Sequence, residues 1–235
     1  MTPDERRLEL ATNLAEVRAR IALAATSAAR SPDEVTLVVV TKTWPADDVA
    51  MLVSMGVTDV AENRDQDAAP KAAALAALGV PAVRWHFIGQ LQRNKARSVA
   101  RYADQVESVD RESLVAALSA AREPERPLEV LIQVSLDGEV ARGGALPVDV
   151  PRLADLVVST SSLRLRGVMA VAPLDEDPRQ AFGRLRELSE RLRASHPGAD
   201  RISAGMSGDL EAAIDQGATQ VRVGTAVLGH RPALR

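Results

Sequence analysis

The chain has 235 residues, of which 46% are hydrophobic and 26% are charged, as expected for one globular domain spanning residues 1–235. A net charge of −3 and only 2% aromatic residues disfavour a nucleic-acid-binding protein, which needs a basic face or stacking rings. Without cysteine, disulfides, thiolate metal sites and cysteine nucleophiles are excluded. The charged start and the lack of a long apolar run predict no secretory signal and no membrane span, and hence a cytoplasmic protein.

The chain begins with a predicted helix and a predicted buried strand. Thr2, followed three residues later by Glu5, is typical of a capped helix start, and an amphipathic stretch then runs to about residue 30. The run 35–40 is β-branched and apolar on both faces. Such a run is typical of a strand that is covered on both sides.

The alternation of helices and strands continues to the end of the chain. Eight strands are predicted, at 35–40, 57–61, 84–89, 105–109, 128–134, 165–171, 201–204 and 220–223. Helical patterns separate them, at 46–56, 67–78, 94–102, 111–122, 148–159, 179–194 and 210–216. Eight βα units in this length predict an α/β protein with a single (β/α)8 TIM barrel. The structural alternative is an open doubly wound sheet, but its Gly-rich turn after the first strand is absent.

Lys42, at the end of the first strand, is the first candidate functional residue. In such barrels the reactive groups lie at the carboxyl ends of the strands, and Lys42 follows the first strand closely. A partly desolvated lysine at this rim would have a lowered pKa and could form a Schiff base with an aldehyde or ketone. Alternatively, the side chain only extends from a strand end into solvent.

The loops after the seventh and eighth strands are the second candidate site. Ser207, in the motif GMSGD, would cap the next helix, while Gly224 would allow a ligand close to the backbone. Thr225 offers a hydroxyl and an N–H group to an oxyanion. Phosphate is most often held by these two loops in this fold, so we expect a phosphate site. The alternative is that both loops are simple turns.

A lysine and a phosphate site about one small ring apart fit two classes of ligand. One is pyridoxal 5'-phosphate (PLP), and the other is the sugar phosphate of a Schiff-base aldolase. Arg222 shares a strand face with Gly224 and needs an acceptor inside the barrel mouth. Either an unprotonated pyridine nitrogen or a sugar phosphate would serve, so these residues leave both classes open.

Several motifs then form a recognisable set. They are LVVVTKT at 37–43, AEN at 61–63, WHFIGQLQ at 85–92 with Asn94-Lys95, GVMAV at 167–171, GMSGD at 205–209 with Ala213-Ile214, and VRVG at 221–224 with GHR at 229–231. In this order and spacing they resemble the YggS/PROSC family of pyridoxal phosphate homeostasis proteins over nearly the whole chain. The chain departs from the family pattern at Trp44, Ala61 and Arg142, where the family commonly has lysine, glycine and lysine.

The resemblance implies a fold, a cofactor and a set of binding residues. The fold is that of the barrel domain of alanine racemase. The implied cofactor is PLP, joined to Lys42 as an aldimine, with its phosphate held by Ser207, Gly224 and Thr225. The ring nitrogen would face Arg222, and Asn63 would line the pocket.

Two features predict a carrier rather than an efficient enzyme. An arginine opposite the ring nitrogen disfavours pyridinium, so the ring would be a weak electron sink. Racemisation needs an acid/base group on each face of the substrate, and the barrel racemases take the second from a separate domain. This chain ends at Arg235, has Tyr102 as its one tyrosine, and places His86 on an apolar strand as a structural residue.

We therefore expect a monomer that stores, buffers or delivers PLP, with apo-enzymes as recipients. The alternative is a PLP-dependent amino-acid racemase of low activity. A Schiff-base aldolase that uses Lys42 on a sugar phosphate is the third hypothesis.

Overall fold

Eight parallel strands close into a barrel in the computed structural model, which describes residues 2–139 and 143–229. Neighbouring strands pair in sequence order, and the last pairs with the first. They are β1 (Thr36–Val40), β2 (Asp59–Glu62), β3 (Arg84–Phe87), β4 (Gln105–Val109), β5 (Leu128–Gln133), β6 (Leu163–Met169), β7 (Arg201–Ser203) and β8 (Gln220–Val223). The predicted barrel is confirmed, and the open sheet is excluded. Arg142 and the residues after 229 lie outside the described residues.

Helices cover the outside of the barrel. In the described ranges they are α1 (Pro3–Ser27), α2 (Ala46–Ser54), α3 (Asp65–Ala77), α4 (Ala96–Tyr102), α5 (Glu112–Ser119), α6 (Val150–Val158), α7 (Pro178–Ser195), α8 (Leu210–Asp215) and α9 (Thr225–Leu228). The predicted bounds differ from these by a few residues. For example, β2 begins two residues late, because the N–H group of Val57 still closes the turn after α2 by bonding the carbonyl of Leu52. None of the described helices is both long and apolar enough to cross a membrane.

Helix α1 packs across the outside of the barrel against α8 and α9. Its start has the predicted capping box, since Thr2 Oγ1 accepts from the N–H of Glu5 and Glu5 Oε2 accepts from the N–H of Thr2. Its buried stripe consists of Leu10, Leu14, Val17 and Ile21. Asn13 on the same helix donates to the carbonyl of Val227, at 3.0 Å. This bond fixes the segment that follows β8 to the N-terminal helix.

The barrel interior is divided between apolar and polar side chains. In one part, Val38 and Val40 of β1 pack with Ala61 of β2 and Ile88 after β3. The other part is a buried polar cluster, which includes residues of the neighbouring strand positions and is formed by Asp59, His86, Gln105, Glu107, Ser203, Gln220 and Arg222. The carboxyl ends of the strands carry side chains from both parts.

Candidate functional site

A cavity of about 480 Å³ lies at the carboxyl ends of β1, β7 and β8. Its size is within the range of about 300–1,000 Å³ that is usual for small-molecule sites. Five of the six predicted binding residues line it, and Asn63 does not. The lining consists of Val40, Lys42, Thr43, Trp44, Ile88, Met206, Ser207, Gly208, Arg222, Gly224, Thr225 and Gly229.

Lys42 supplies the amine of this cavity. Its side chain forms no hydrogen bond or ion pair with any residue in the described ranges, and the residue is exposed. The desolvation expected for a lysine at an apolar rim is therefore not found, because the residue is exposed. The next residue, Thr43, has a positive φ of 70°, which is a strained conformation for a β-branched residue.

A buried ion pair fixes the backbone just before Lys42. Lys71 on α3 donates to a carboxylate oxygen of Glu62 and, at 2.9 Å, to the carbonyl of Thr41. The Thr41 hydroxyl donates to the same oxygen of Glu62, at 2.8 Å. All three residues are buried. Sequence reasoning missed this clamp, although Glu62 lies in the AEN motif, because nothing in the sequence shows that a lysine nine residues later turns inward.

The loops after β7 and β8 are joined directly at the cavity. The Ser207 hydroxyl accepts from the N–H of Ala226, at 3.3 Å, so it does not cap α8 as we expected. The turn is closed instead by Asp209, whose carboxylate accepts from the N–H of Met206. Ser207 and Thr225 thereby stand on two connected loops.

Gly224 is required by packing as well as by any ligand. A Cβ atom there would lie 3.2 Å from the carbonyl oxygen of Val40, a contact tighter than side chains normally make. The small residue thus lets the end of β8 approach the end of β1. As a result, Lys42 and Thr225 are brought to the same cavity.

Arg222 is the buried cation of the cavity and is only 4% exposed. It donates to Ser203 Oγ at 2.6 Å and to the carbonyl of Ala170 at 2.9 Å, and it lies 3.9 Å from a carboxylate oxygen of Glu107. Burial lowers the pKa of Arg222, while Glu107 and Asp209 act against that effect. Its remaining N–H groups have no acceptor within residues 2–139 and 143–229, so they are free for a ligand.

Behind Arg222, the polar cluster continues to a fully buried histidine. Ser203 Oγ donates to Glu107 at 2.5 Å, and the other oxygen of Glu107 lies 2.7 Å from His86 Nδ1. His86 Nε2 lies 2.9 Å from Asp59. Two carboxylates can both accept from the ring only if both nitrogens carry a proton.

The charges of this cluster support one another. Burial alone would lower the pKa of His86, but hydrogen bonds to Asp59 and Glu107 outweigh burial and raise it. For Glu107, burial would raise the pKa, yet the contacts with His86 and Arg222 lower it. The interpretation of His86 as a structural residue agrees with this position, since His86 does not line the cavity.

Asn63 belongs to a different cavity. The end of β3 packs directly against it, since a Cβ atom on Gly89 would clash with the Asn63 carbonyl oxygen. Asn63 lines a second cavity with Phe87, Gln90 and Lys95 among others. Asn63 therefore lines a different cavity from the five residues around Lys42.

The first cavity offers few groups for acid–base chemistry. Among its described lining residues, only Lys42 and Arg222 are ionisable. Tyr102 lies on α4 with its ring edge against Trp85, at a centroid distance of 6.3 Å, and burial raises the pKa of its hydroxyl. In the described ranges, no cluster of histidine and carboxylate side chains is arranged to hold a metal ion.

Known proteins share both the fold and much of the sequence. Residues 12–232 match the family of the alanine racemase N-terminal domain. A pyridoxal phosphate homeostasis protein of Mycobacterium leprae is 44% identical over 241 residues, which cover 96% of this chain and 94% of the relative. The structure of PipY from Synechococcus elongatus with PLP bound has a TM-score of 0.79 and 31% identity, over 94% of this chain and 100% of PipY.

More distant structures agree in fold alone. Alanine racemase from Corynebacterium glutamicum has a TM-score of 0.66 at 13% identity, and the match covers 97% of this chain and 64% of the racemase. Because the high-identity relatives match over almost their whole length, the resemblance in the sequence is confirmed. The chain belongs to the family of pyridoxal phosphate homeostasis proteins, with the barrel of the alanine racemase N-terminal domain.

Proposed function

We propose that this chain binds PLP in the cavity at Lys42 and acts in PLP homeostasis, by storing, buffering or delivering the cofactor. The observation that carries the proposal is the convergence of an unpaired amine, two hydroxyls and a buried guanidinium on one cavity of suitable size. The relatives named for this role at high identity and coverage support it. When bound, the cofactor supplies an aldehyde that condenses with amines.

In this proposal Lys42 holds the cofactor covalently. Its Nζ would form a C=N bond with the aldehyde carbon, and the aldehyde oxygen would leave as water. The chain has only three lysines, and the other two are differently placed. Lys71 is buried in its ion pair with Glu62, and Lys95 lines the second cavity.

The remaining residues would bind and orient the cofactor. The hydroxyls of Ser207 and Thr225, with the backbone at Gly224, offer donors to a phosphate at one end of the cavity. The free N–H groups of Arg222 fit a neutral ring nitrogen, which accepts one hydrogen bond. A guanidinium there disfavours protonation of that nitrogen, because two positive charges would face each other.

The lining favours a carrier over a catalyst. A racemase needs acid/base groups on both faces of the substrate carbon, and the described lining offers no histidine, carboxylate or tyrosine beside Lys42. Tyr102 is held elsewhere by Trp85. We propose accordingly that the protein acts as a cytoplasmic monomer and passes PLP to apo-enzymes. Light scattering of the purified protein tests the first part, and activation of an added apo-enzyme tests the second.

The decisive experiment is an absorption spectrum of the protein with PLP, before and after borohydride, with peptide mapping of the reduced product. We expect the label on Lys42, loss of the covalent species in Lys42→Ala, and its retention in the matched variant Lys95→Ala. A label on Lys71 or Lys95 in the unchanged protein would contradict the assignment. Turnover of D- or L-amino acids above the free-cofactor rate would favour the racemase.

A further inference from the structure

The second cavity has a volume of about 500 Å³, as large as the first. It lies at the same end of the barrel, where the loops after β2, β3 and β4 meet the start of α3. Its lining consists of Asn63, Arg64, Asp65, Gln66, Phe87, Gln90, Leu91, Gln92, Lys95 and Arg111. Most of these residues belong to the AEN and WHFIGQLQ motifs or adjoin them, and the proposed function uses none of their side chains.

Most polar side chains of this lining have no partner in the described part of the chain. Neither Arg64 nor Lys95 forms a side-chain hydrogen bond or an ion pair there. The same holds for the four carboxamides, which are those of Asn63, Gln66, Gln90 and Gln92. Four of these six side chains, those of Arg64, Gln66, Gln90 and Gln92, are exposed, and water can satisfy them. Asn63 and Lys95 are half-buried, and half-buried polar groups that line a cavity without a protein partner are typical of a ligand site. Phe87 and Leu91 add apolar wall to it.

Arg111 is the cation of the cavity whose position is fixed by hydrogen bonds. One of its amino groups donates to the carbonyl of Leu91 at 2.6 Å, and the other contacts Asp110 at 2.5 Å. These bonds hold the guanidinium in place without a ligand, whereas Arg64 and Lys95 are free to adjust. This arrangement can bind an anion, because the N–H donors of a guanidinium match the oxygens of a carboxylate or a phosphate. Arg111 would provide a fixed donor, and Arg64 and Lys95 could move to contact the same anion.

The charge of the cavity also favours an anion. Three cations line it, against the carboxylate of Asp65 in the lining and that of Asp110, which contacts Arg111. The segment 88–103, which follows β3, has four lysine and arginine residues and no acidic residue, in a chain of net charge −3. Helix α3 begins at the cavity without a side-chain cap, which adds positive potential.

We propose that this second cavity binds a small organic anion with a phosphate or carboxylate group, separately from the cavity at Lys42. Arg64, Lys95 and Arg111 would bind the anionic group, and the carboxamides would bind the polar remainder. Arg64 and Gln66 also line a third cavity with Thr43 and Trp44, which line the first, so this third cavity lies between the two sites. The proposal does not depend on PLP at Lys42.

The experiment is an NMR titration of the ¹⁵N-labelled chain with inorganic phosphate, phenyl phosphate and succinate. We expect saturable shifts of the backbone amides at 63–66 and 90–95 with at least one probe. Phosphate against succinate separates the two anionic groups, and phenyl phosphate tests the apolar wall. Loss of one charged donor should weaken binding about tenfold or more in Lys95→Gln and in Arg64→Gln.

Arg97→Gln is the matched control. Arg97 is exposed on α4, has no side-chain partner in the described part and does not line the cavity, so its removal changes the surface charge alone. Equal weakening in this control would overturn the proposal in favour of diffuse surface charge. Shifts confined to residues around Ser207 and Gly224, or no saturable shift with any probe, would overturn it as well. Because Lys42→Ala should leave these shifts in place, failure here is distinct from failure of the proposed PLP site.

Discussion

Two parts of the barrel interior, one apolar and one polar, are built on different physical principles. At β1 and β2, Val38, Val40 and Ala61 fill the barrel by packing alone. At β4, β7 and β8, Glu107, Ser203 and Arg222 fill it with hydrogen-bonded and charged groups. Packing tolerates small changes of shape, whereas a buried polar cluster is stable only if every member keeps its partner. Lys42 follows the apolar part, and Arg222 belongs to the polar one.

The largest expected effect is on stability, and it differs between substitutions in the polar part and in the apolar part of the interior. His86→Gln leaves Asp59 and Glu107 buried without the cation between them, so we expect it to lower the free energy of unfolding by about 3–5 kcal/mol. Val38→Ala removes apolar volume from the apolar part of the interior and should lower the free energy of unfolding by about 2 kcal/mol. Urea unfolding followed by circular dichroism measures both.

The comparison of these two variants tests the electrostatic account directly. If Val38→Ala were the more destabilising, the polar cluster would contribute less than simple packing. In that case the interpretation of His86 as a charged residue would be wrong.

A second prediction concerns pH. The pKa of His86 is raised above 6.5 in the folded protein, so its contribution is complete below pH 6.5 and is lost as the pH rises through the folded value. The pKa values of Glu107 and Asp59 are lowered from 4.5 and 3.8, so their contribution is complete above those values and is lost as the pH falls through the folded ones.

The difference in stability between the unchanged protein and His86→Gln should therefore be largest between about pH 4.5 and 6.5 and should decrease on both sides. Thermal unfolding across this range measures it. A difference that stays constant to high pH would mean that His86 does not lose its proton with the cluster.

The fold was predictable from the sequence because its signals are local. Strand β1 is a continuous apolar run, and Thr2 with Glu5 predicts the start of α1, as the structure confirms. Apart from Arg222, which we expected inside the barrel mouth, the polar interior was not predictable. In Gln105-Val106-Glu107 polar and apolar residues alternate, a pattern that usually indicates one solvent-exposed face. Here the polar face is turned into the barrel.

The candidate site was predictable to the same limited extent. Lys42, Ser207 and Thr225 end strands or lie in the loops after them, so the barrel topology alone brings them together. The clamp of Glu62 and Lys71 and the separate position of Asn63 depend on how loops pack against each other. No periodicity in the sequence records that packing.

A third prediction concerns the hydrogen bonds by which the polar cluster positions Arg222. Ser203→Ala removes the hydroxyl that joins Arg222 to Glu107, and we expect PLP affinity to fall about tenfold, as for one hydrogen bond to a charged group. Ser108→Ala is the matched control, because Ser108 is buried on β4 directly after Glu107 and its hydroxyl has no partner in the described ranges. Quenching of Trp44, which lines the cavity, reports binding. Equal affinities of the two variants would contradict the role of Ser203.

The smallest expected effect is at Thr43, the strained residue that follows Lys42 after the apolar strand β1. Thr43→Gly relieves the positive φ, and we expect the free energy of unfolding to rise by up to about 1 kcal/mol. The more flexible loop should also hold PLP about two- to fivefold more weakly, because ordering the loop then opposes binding. Ala29→Gly is the control, since Ala29 also has a positive φ, of 55°, but follows α1 away from the cavity. Ala29→Gly should stabilise the chain without changing the affinity for PLP. If it weakened PLP binding as much as Thr43→Gly does, strain at Thr43 would have no specific role in binding.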